Sequence, residues 1–226
     1  MTRGTVNTVD TAYERLRDKL VAFDVKPGSR LNESEIAADL SMSRAPIREA
    51  LNRLTADGMV SFEPGRGFFC RRLSVSEITD LYDVRLDLEI GALKTLLQVA
   101  AEAELNLFVE KWRADLAQSE RMKLGDLVVS DEEFHLEMAA LAGNSQRLKY
   151  LRNINDRIRF VRKINLESPE RYGEALEEHA SLLQAIVARD AEKAVETLSN
   201  HLARSTDEVR QQVQSALTRI YSDEMA

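Results

Sequence analysis

The sequence predicts a mainly α chain: three short helices with a β-hairpin, followed by an all-α antiparallel helical bundle. Three observations carry this. Apolar residues recur at helical spacing through residues 9–57. Pro64-Gly65-Arg66-Gly67 separates two short runs rich in strand-forming residues. Beyond residue 74 no strand pattern occurs, and Pro169 is the only proline.

The elements follow in order. Ala12, Leu16, Leu20 and Phe23 share one face of a first helix over 9–23, which Lys26-Pro27-Gly28 ends. Asn32 with Glu35 forms a capping-box pattern for a short helix through Leu40. After Ser41-Met42, Ser43 is placed to cap a third helix, and Pro46 is tolerated in its first turn. That helix turns Ile47, Ala50, Leu51 and Leu54 inward and stops at Gly58. Residues 59–63 and 68–71 then read as the strands of a hairpin. Three helices and a hairpin make a winged helix-turn-helix, expected over residues 1–73. A linker follows at Arg71–Ser76, and the bundle is expected over 74–226. Ser74 with Glu77 starts a helix to about Ala100. Further helices read at about 102–121, 126–142, 145–165, 170–189 and 191–221. The last has an apolar stripe: Ala194, Leu198, Leu202, Val209, Val213, Leu217 and Ile220. Trp112 and Phe108 read as packing residues.

The net charge of -7 argues at first against nucleic acid, but it is unevenly distributed. Residues 1–74 hold 12 Lys+Arg against 10 Asp+Glu, a net of +2; residues 75–226 hold 19 against 28, a net of -9. Only the first part is compatible with phosphate contact. The single cysteine, Cys70, excludes an intrachain disulfide and reads as packed rather than reactive. The first ten residues have no apolar signal core. The apolar stretch at Ile90–Ala101 contains Lys94 and is too short to span a bilayer. A cytoplasmic protein with no membrane partner is the expectation.

All three histidines lie in the acidic part. Asp131 and His135 are i, i+4 and share a helix face; His179 and His201 fall in later helices. One carboxylate and three imidazoles suit a borderline divalent ion such as zinc, nickel or manganese. The bland alternative is three packed or solvated histidines. Arg85 and Glu89 are also i, i+4, the spacing of an ordinary intrahelical salt bridge.

Several runs resemble the GntR family of transcriptional regulators. They are Pro27-Gly28-x-Arg30-Leu31-x-Glu33, Ser43-Arg44-x-Pro46-x-Arg48-Glu49-Ala50-Leu51-x-x-Leu54 and Gly58-Met59-Val60. Arg85-x-x-Leu88-Glu89, Asp131-x-x-Phe134-His135, Ala142-Gly143-Asn144, Glu178-His179 and His201-Leu202 resemble the FCD ligand-binding domain of the FadR subfamily. The resemblance implies a homodimer that reads a palindromic double-stranded operator and is not an enzyme. It implies Arg44 and Arg48 as base readers, with phosphate contact or a surface ion pair as the alternative. Ser43 would also bond phosphate, and the Gly65-Arg66-Gly67 tip would enter the minor groove. Arg53 reads as solvated or phosphate-facing. Many relatives carry Arg between the two acidic residues of the short helix, where this chain has Ser34. A borrowed operator sequence is therefore unsafe.

For the bundle, the resemblance implies a metal held by Asp131, His135, His179 and His201. It also implies a small organic-acid effector gripped by Arg85, with repression relieved by that effector. Asn155 and Arg159 are candidates to line the cavity. Two rivals are a purely structural metal and a metal-dependent enzyme.

Overall fold

In a computed structural model, residues 8–119 and 122–222 are described, the last helix in side-chain detail chiefly as far as Leu202. The chain divides into two compact units, one ending at Ser74 and the other starting at Val75.

The first unit contains α1 (Thr8–Val21), β1 (Arg30–Leu31), α2 (Glu33–Asp39), α3 (Arg44–Ala56), β2 (Val60–Glu63) and β3 (Gly67–Cys70). Ala12, Leu16 and Leu20 of α1 pack with Ile47, Ala50, Leu51 and Leu54 of α3 in one core. Asn32 caps α2 by accepting from the Ser34 backbone N–H. Its side chain also donates to Glu35 at 2.7 Å, so the expected box closes through side chains. Ser43 differs from its expectation. It has extended backbone angles but makes no capping bond. Pro46, the third helical residue, has no N–H to offer, and the N–H of Ala45, the second, is not taken by Ser43 either.

The hairpin is really part of a three-stranded antiparallel sheet in the order β1-β3-β2. Arg30 pairs with Phe69 and Leu31 with Phe68, while Ser61 and Phe62 take the other side of β3. A two-residue strand is too short to show alternation, so β1 was invisible to pattern reading. Arg53 donates to Asp10 at 2.6 Å and lies over the Tyr13 ring, and Tyr13 in turn donates to Asp57. These contacts tie α3 to α1, while the Arg53 side chain stays 45% exposed. Cys70 is buried, and burial pushes its thiol up to about 11, which makes it a packing group.

The second unit contains α4 (Val75–Val99), α5 (Glu102–Gln118), α6 (Leu124–Leu141), α7 (Ser145–Leu166), α8 (Pro169–Val187) and α9 (Ala191–Ser222). Short breaks at Gly143 and Asp190 reverse the chain; Gly143 has φ 73°, and Asp190 accepts from the Lys193 N–H at the start of α9. The core runs through Leu93 and Leu96 of α4, Phe108 and Trp112 of α5, and Phe134 and Met138 of α6. Leu183 and Ile186 of α8 and Leu198 of α9 complete it. Trp112 meets Phe134 edge-on at 5.3 Å and donates its indole N–H to Glu137. Glu77 pairs with Arg157 of α7. Ala194, Leu198, Leu202 and Val213 of the final stripe are buried. The side chains of Val209, Leu217 and Ile220 lie outside the described residues, as do residues 120 and 121 of the fifth predicted helix. No helix of the described residues is long and apolar enough to cross a membrane.

Candidate metal centre and nucleic-acid interface

In the first unit, Arg44 opens α3 and Arg48 lies one turn on. Their side chains are 65% and 61% exposed, and both reach the Glu33 carboxylate, at 3.4 and 3.7 Å. Exposed arginines held by one weak surface contact remain available to a competing acceptor. Ser43 is exposed beside them, and its hydroxyl is not spent on a cap. Pro46 is half-buried in the first turn of α3, between Arg44 and Arg48. The turn between β2 and β3 exposes Gly65 and Arg66, and Gly65 and Gly67 take φ of 77° and 99°. Only glycine adopts those angles without strain, so the tip needs both. Arg66 pairs with Glu63 and lies over the Phe69 ring.

In the second unit, Asp131 and His135 project from α6, His179 from α8 and His201 from α9. One potential ligand atom from each lies within 4.8 Å of all the others. His135 Nε2 stands 3.3 Å from His179 Nε2, and Asp131 Oδ1 stands 3.8 and 3.4 Å from these two nitrogens. Adjacent ligands about 2.1 Å from a common ion are roughly 3.0–3.4 Å apart, so the spacing suits a small divalent cation. Burial lowers the pKa of all three imidazoles: His179 falls well below the usual value and His201 to about 4. They are neutral at physiological pH, which is the form that ligates metal. The Phe134 ring stacks on His179 at 4.3 Å and fixes its plane.

A second layer of carboxylates orients the rings. Glu89, fully buried on α4, accepts from His135 Nδ1 and from Arg85 Nε, each at 2.5 Å. Burial alone would raise the Glu89 pKa, but Arg85 and His135 override it and keep the group ionised. Glu178 accepts from His201 Nδ1 at 2.7 Å and from Arg171. An ionised carboxylate at Nδ1 holds the proton there and leaves Nε2 as a lone pair toward the centre. The other oxygen of Asp131 pairs with Arg162 of α7, which presents Oδ1 to the histidines. Burial brings Arg162 down to about 9, so it is still charged near neutral pH.

Two cavities flank this centre. One, partly open to solvent, is lined by Tyr82, Arg85, Arg162, Arg171, Asp131 and His201. The Tyr82 hydroxyl and Arg85 Nη2 are buried without a hydrogen-bond partner. The other, also partly open to solvent, is largely apolar, with Trp112, Leu116 and Phe134 among its walls and Asp131 and His179 at one side.

Residues 8–70 match the bacterial regulatory proteins of the gntR family, and residues 80–204 match the FCD domain. The Nta operon transcriptional regulator of Aminobacter aminovorans is 33% identical over 202 residues, covering 89% of this chain and 94% of that protein. The chain belongs to the GntR family, in its FCD-containing branch. The HTH-type transcriptional repressor RspR of Escherichia coli is 24% identical, covering 88% of this chain and 87% of its own length. Among solved structures, E. coli McbR/YncC superposes with a TM-score of 0.73 at 22% identity, over 92% of this chain and 100% of its own. A GntR regulator from Rhodococcus gives 0.71 at 25% identity, over 89% and 96%.

This GntR protein is therefore a transcriptional regulator with a winged helix-turn-helix and an all-helical FCD domain; its family and relatives are regulators, not enzymes. All four proposed metal ligands are brought together, and Arg85 lies one residue behind them through Glu89. Asn155 and Arg159 do not line either cavity. Asn155 is buried against Arg162, and Arg159 forks onto Glu132. Sequence reading missed Glu89, Glu178, Arg162, Arg171 and Tyr82 as parts of the site. Glu178 adjoins His179 in sequence, and Glu89 lies one turn beyond Arg85; the other three have no local signal.

Proposed function

We propose that this regulator is a homodimer whose residues 1–73 read a palindromic operator and whose residues 74–226 sense a small carboxylate at a divalent-metal site. The observation that carries the sensing half is the convergence of Asp131, His135, His179 and His201 beside two unpartnered buried donors, Tyr82 Oη and Arg85 Nη2. Zinc, nickel and manganese are the ions this donor set favours. A divalent ion there adds two positive charges to a buried cluster whose arginines and carboxylates already pair off, and that excess favours an anionic co-ligand. Arg85 and Tyr82 then orient its oxygens, as a guanidinium and a phenol do for any carboxylate. A purely structural metal leaves both donors unexplained.

On the DNA side, Arg44 and Arg48 are proposed to read base edges in the major groove, each as a fork onto guanine. Ser43 and the first N–H groups of α3 take a phosphate, and the Gly65-Arg66-Gly67 tip follows the minor groove. Operator affinity changes when the effector binds one arrangement of the dimer better than the other, with repression relieved as the expected sign. Work on the chromosome places the protein in the cytoplasm.

Native mass spectrometry of untagged protein purified without chelator tests this. A dimer carrying one divalent ion per subunit is expected, and His179→Ala should lose the ion because one of four ligands is gone. A monomer, or full metal occupancy in His179→Ala, would overturn the assignment.

A further inference from the structure

The two cavities meet at the candidate metal centre. Asp131, Leu166 and Ala175 line both of them. Their balance of polar and apolar groups differs. The smaller gathers three guanidinium groups and a phenol, Arg85, Arg162, Arg171 and Tyr82, against the ligand candidates Asp131 and His201. The larger is walled by Trp112, Leu116, Phe134, Leu127 and Leu176, with His179 on the side facing the centre. Trp112 and Phe134 are locked against each other and the core, so these walls do not collapse to fill the space. An apolar chamber opening beside a buried ligand cluster calls for an apolar occupant. One further residue narrows the class. Asp115 lies on the wall of the larger chamber, and its carboxylate opposes a second acid group at that end.

We infer that the effector is a monocarboxylic acid with an apolar body. Its carboxylate sits with Tyr82 and Arg85 beside the metal ligands, and its hydrocarbon portion passes the shared wall of Leu166 and Ala175 into the Trp112–Phe134 chamber. This rests on the reading that the site takes a carboxylate. It goes further in excluding both the smallest acids and the dicarboxylates as the preferred ligands.

The test is calorimetric titration of the zinc-loaded full chain with acetate, hexanoate, phenylacetate and adipate. Each methylene buried is worth about fourfold in affinity, so hexanoate should exceed acetate on the order of a hundredfold. Phenylacetate should also exceed acetate, and adipate should fall well below hexanoate. Leu127→Trp, which fills the apolar chamber one turn of α6 before Asp131, should bring hexanoate down to the level of acetate while acetate and zinc affinity are unchanged. Equal affinity for acetate and hexanoate overturns the apolar subsite and leaves the carboxylate reading standing. Adipate binding as tightly as hexanoate overturns the monoacid assignment. Undiminished hexanoate binding in a folded Leu127→Trp places the tail elsewhere and overturns the chamber. Failure of every acid to bind overturns the carboxylate reading and this inference with it.

Discussion

Glu89→Gln separates a carboxylate that orients a metal ligand from one that merely balances charge. Glu89 is fully buried and uses both oxygens, one on Arg85 Nε and one on His135 Nδ1, each at 2.5 Å. Glutamine keeps the volume but has a single acceptor. Either Arg85 or His135 must then face an amide N–H, donor against donor. His135 escapes by moving its proton to Nε2, which removes the lone pair offered to the ion. Loss of such an outer-layer partner weakens metal binding by about 10–100-fold. Breaking a buried ion pair also removes up to about 3–5 kcal/mol of stability, less here because shape and one hydrogen bond survive. Zinc affinity measured by chelator competition, with a circular-dichroism melt to confirm folding, reads both effects. Glu178→Gln is the internal comparison. It contacts His201 the same way but is only half-buried, so its effect should be smaller. Zinc affinity within twofold of wild type in folded Glu89→Gln would refute the idea that Glu89 sets the His135 tautomer.

Two further outcomes are expected. Arg48→Ala should abolish specific footprints while the melting of the helical domain is unchanged; a guanine fork is worth about 1–3 kcal/mol and is lost twice in a dimer, on the order of a hundredfold or more. Unchanged footprinting would remove Arg48 from the reading surface. The metal-free chain should lose stability as pH falls from about 6.5 toward 4. Its histidines have lowered folded pKa values, so the unfolded chain binds protons first, and His201 alone accounts for about 3 kcal/mol across that window. Stability that is flat or rising as pH falls through that range would mean the imidazoles are not buried neutral.

Local signals carried most of the fold. Helical periodicity and capping patterns located the helices of the described residues; periodicity served the long ones, which bury one face at regular spacing, and the cap at Asn32 served α2, which buries only Ala37. Strand β1 escaped because two residues cannot show a period, and its partner β3 reads the same with one neighbour or two. Ser43 misled because residue type alone suggested a cap; Pro46 removes one of the two N–H groups a cap can take, and Ser43 does not take the other, at Ala45. The four candidate ligands were legible because histidine is rare here, three in the whole chain, and because Asp131 stands one helical turn before the first of them. The layer behind them was not. Arg85–Glu89 looked like an ordinary i, i+4 pair, and it is one, but the second oxygen of Glu89 reaches α6, 46 residues on. Arg162 meets Asp131 only because α7 packs on α6. Such pairings depend on how helices are placed against each other, and charged residues are too common for spacing to reveal them.

Buried ion pairs are weak grounds for stability, since desolvation offsets much of their attraction. A bundle that needed only to be stable would fill this space with leucine. Instead α4, α6, α7, α8 and α9 each contribute a buried charged or titratable group to one centre. A ligand that bridges Tyr82 and Arg85 on α4 to groups on α6, α7 and α8 binds best to one mutual placement of those helices, and it stabilises that placement in proportion to its affinity. α4 begins at Val75, where the DNA-reading unit ends, and Tyr82 and Arg85 lie within its first three turns. Under the proposed function, the helix that touches the effector is therefore the one joined by the backbone to the winged helix-turn-helix. The polar cluster, poor as a source of stability, is well placed to make the position of that helix depend on what is bound.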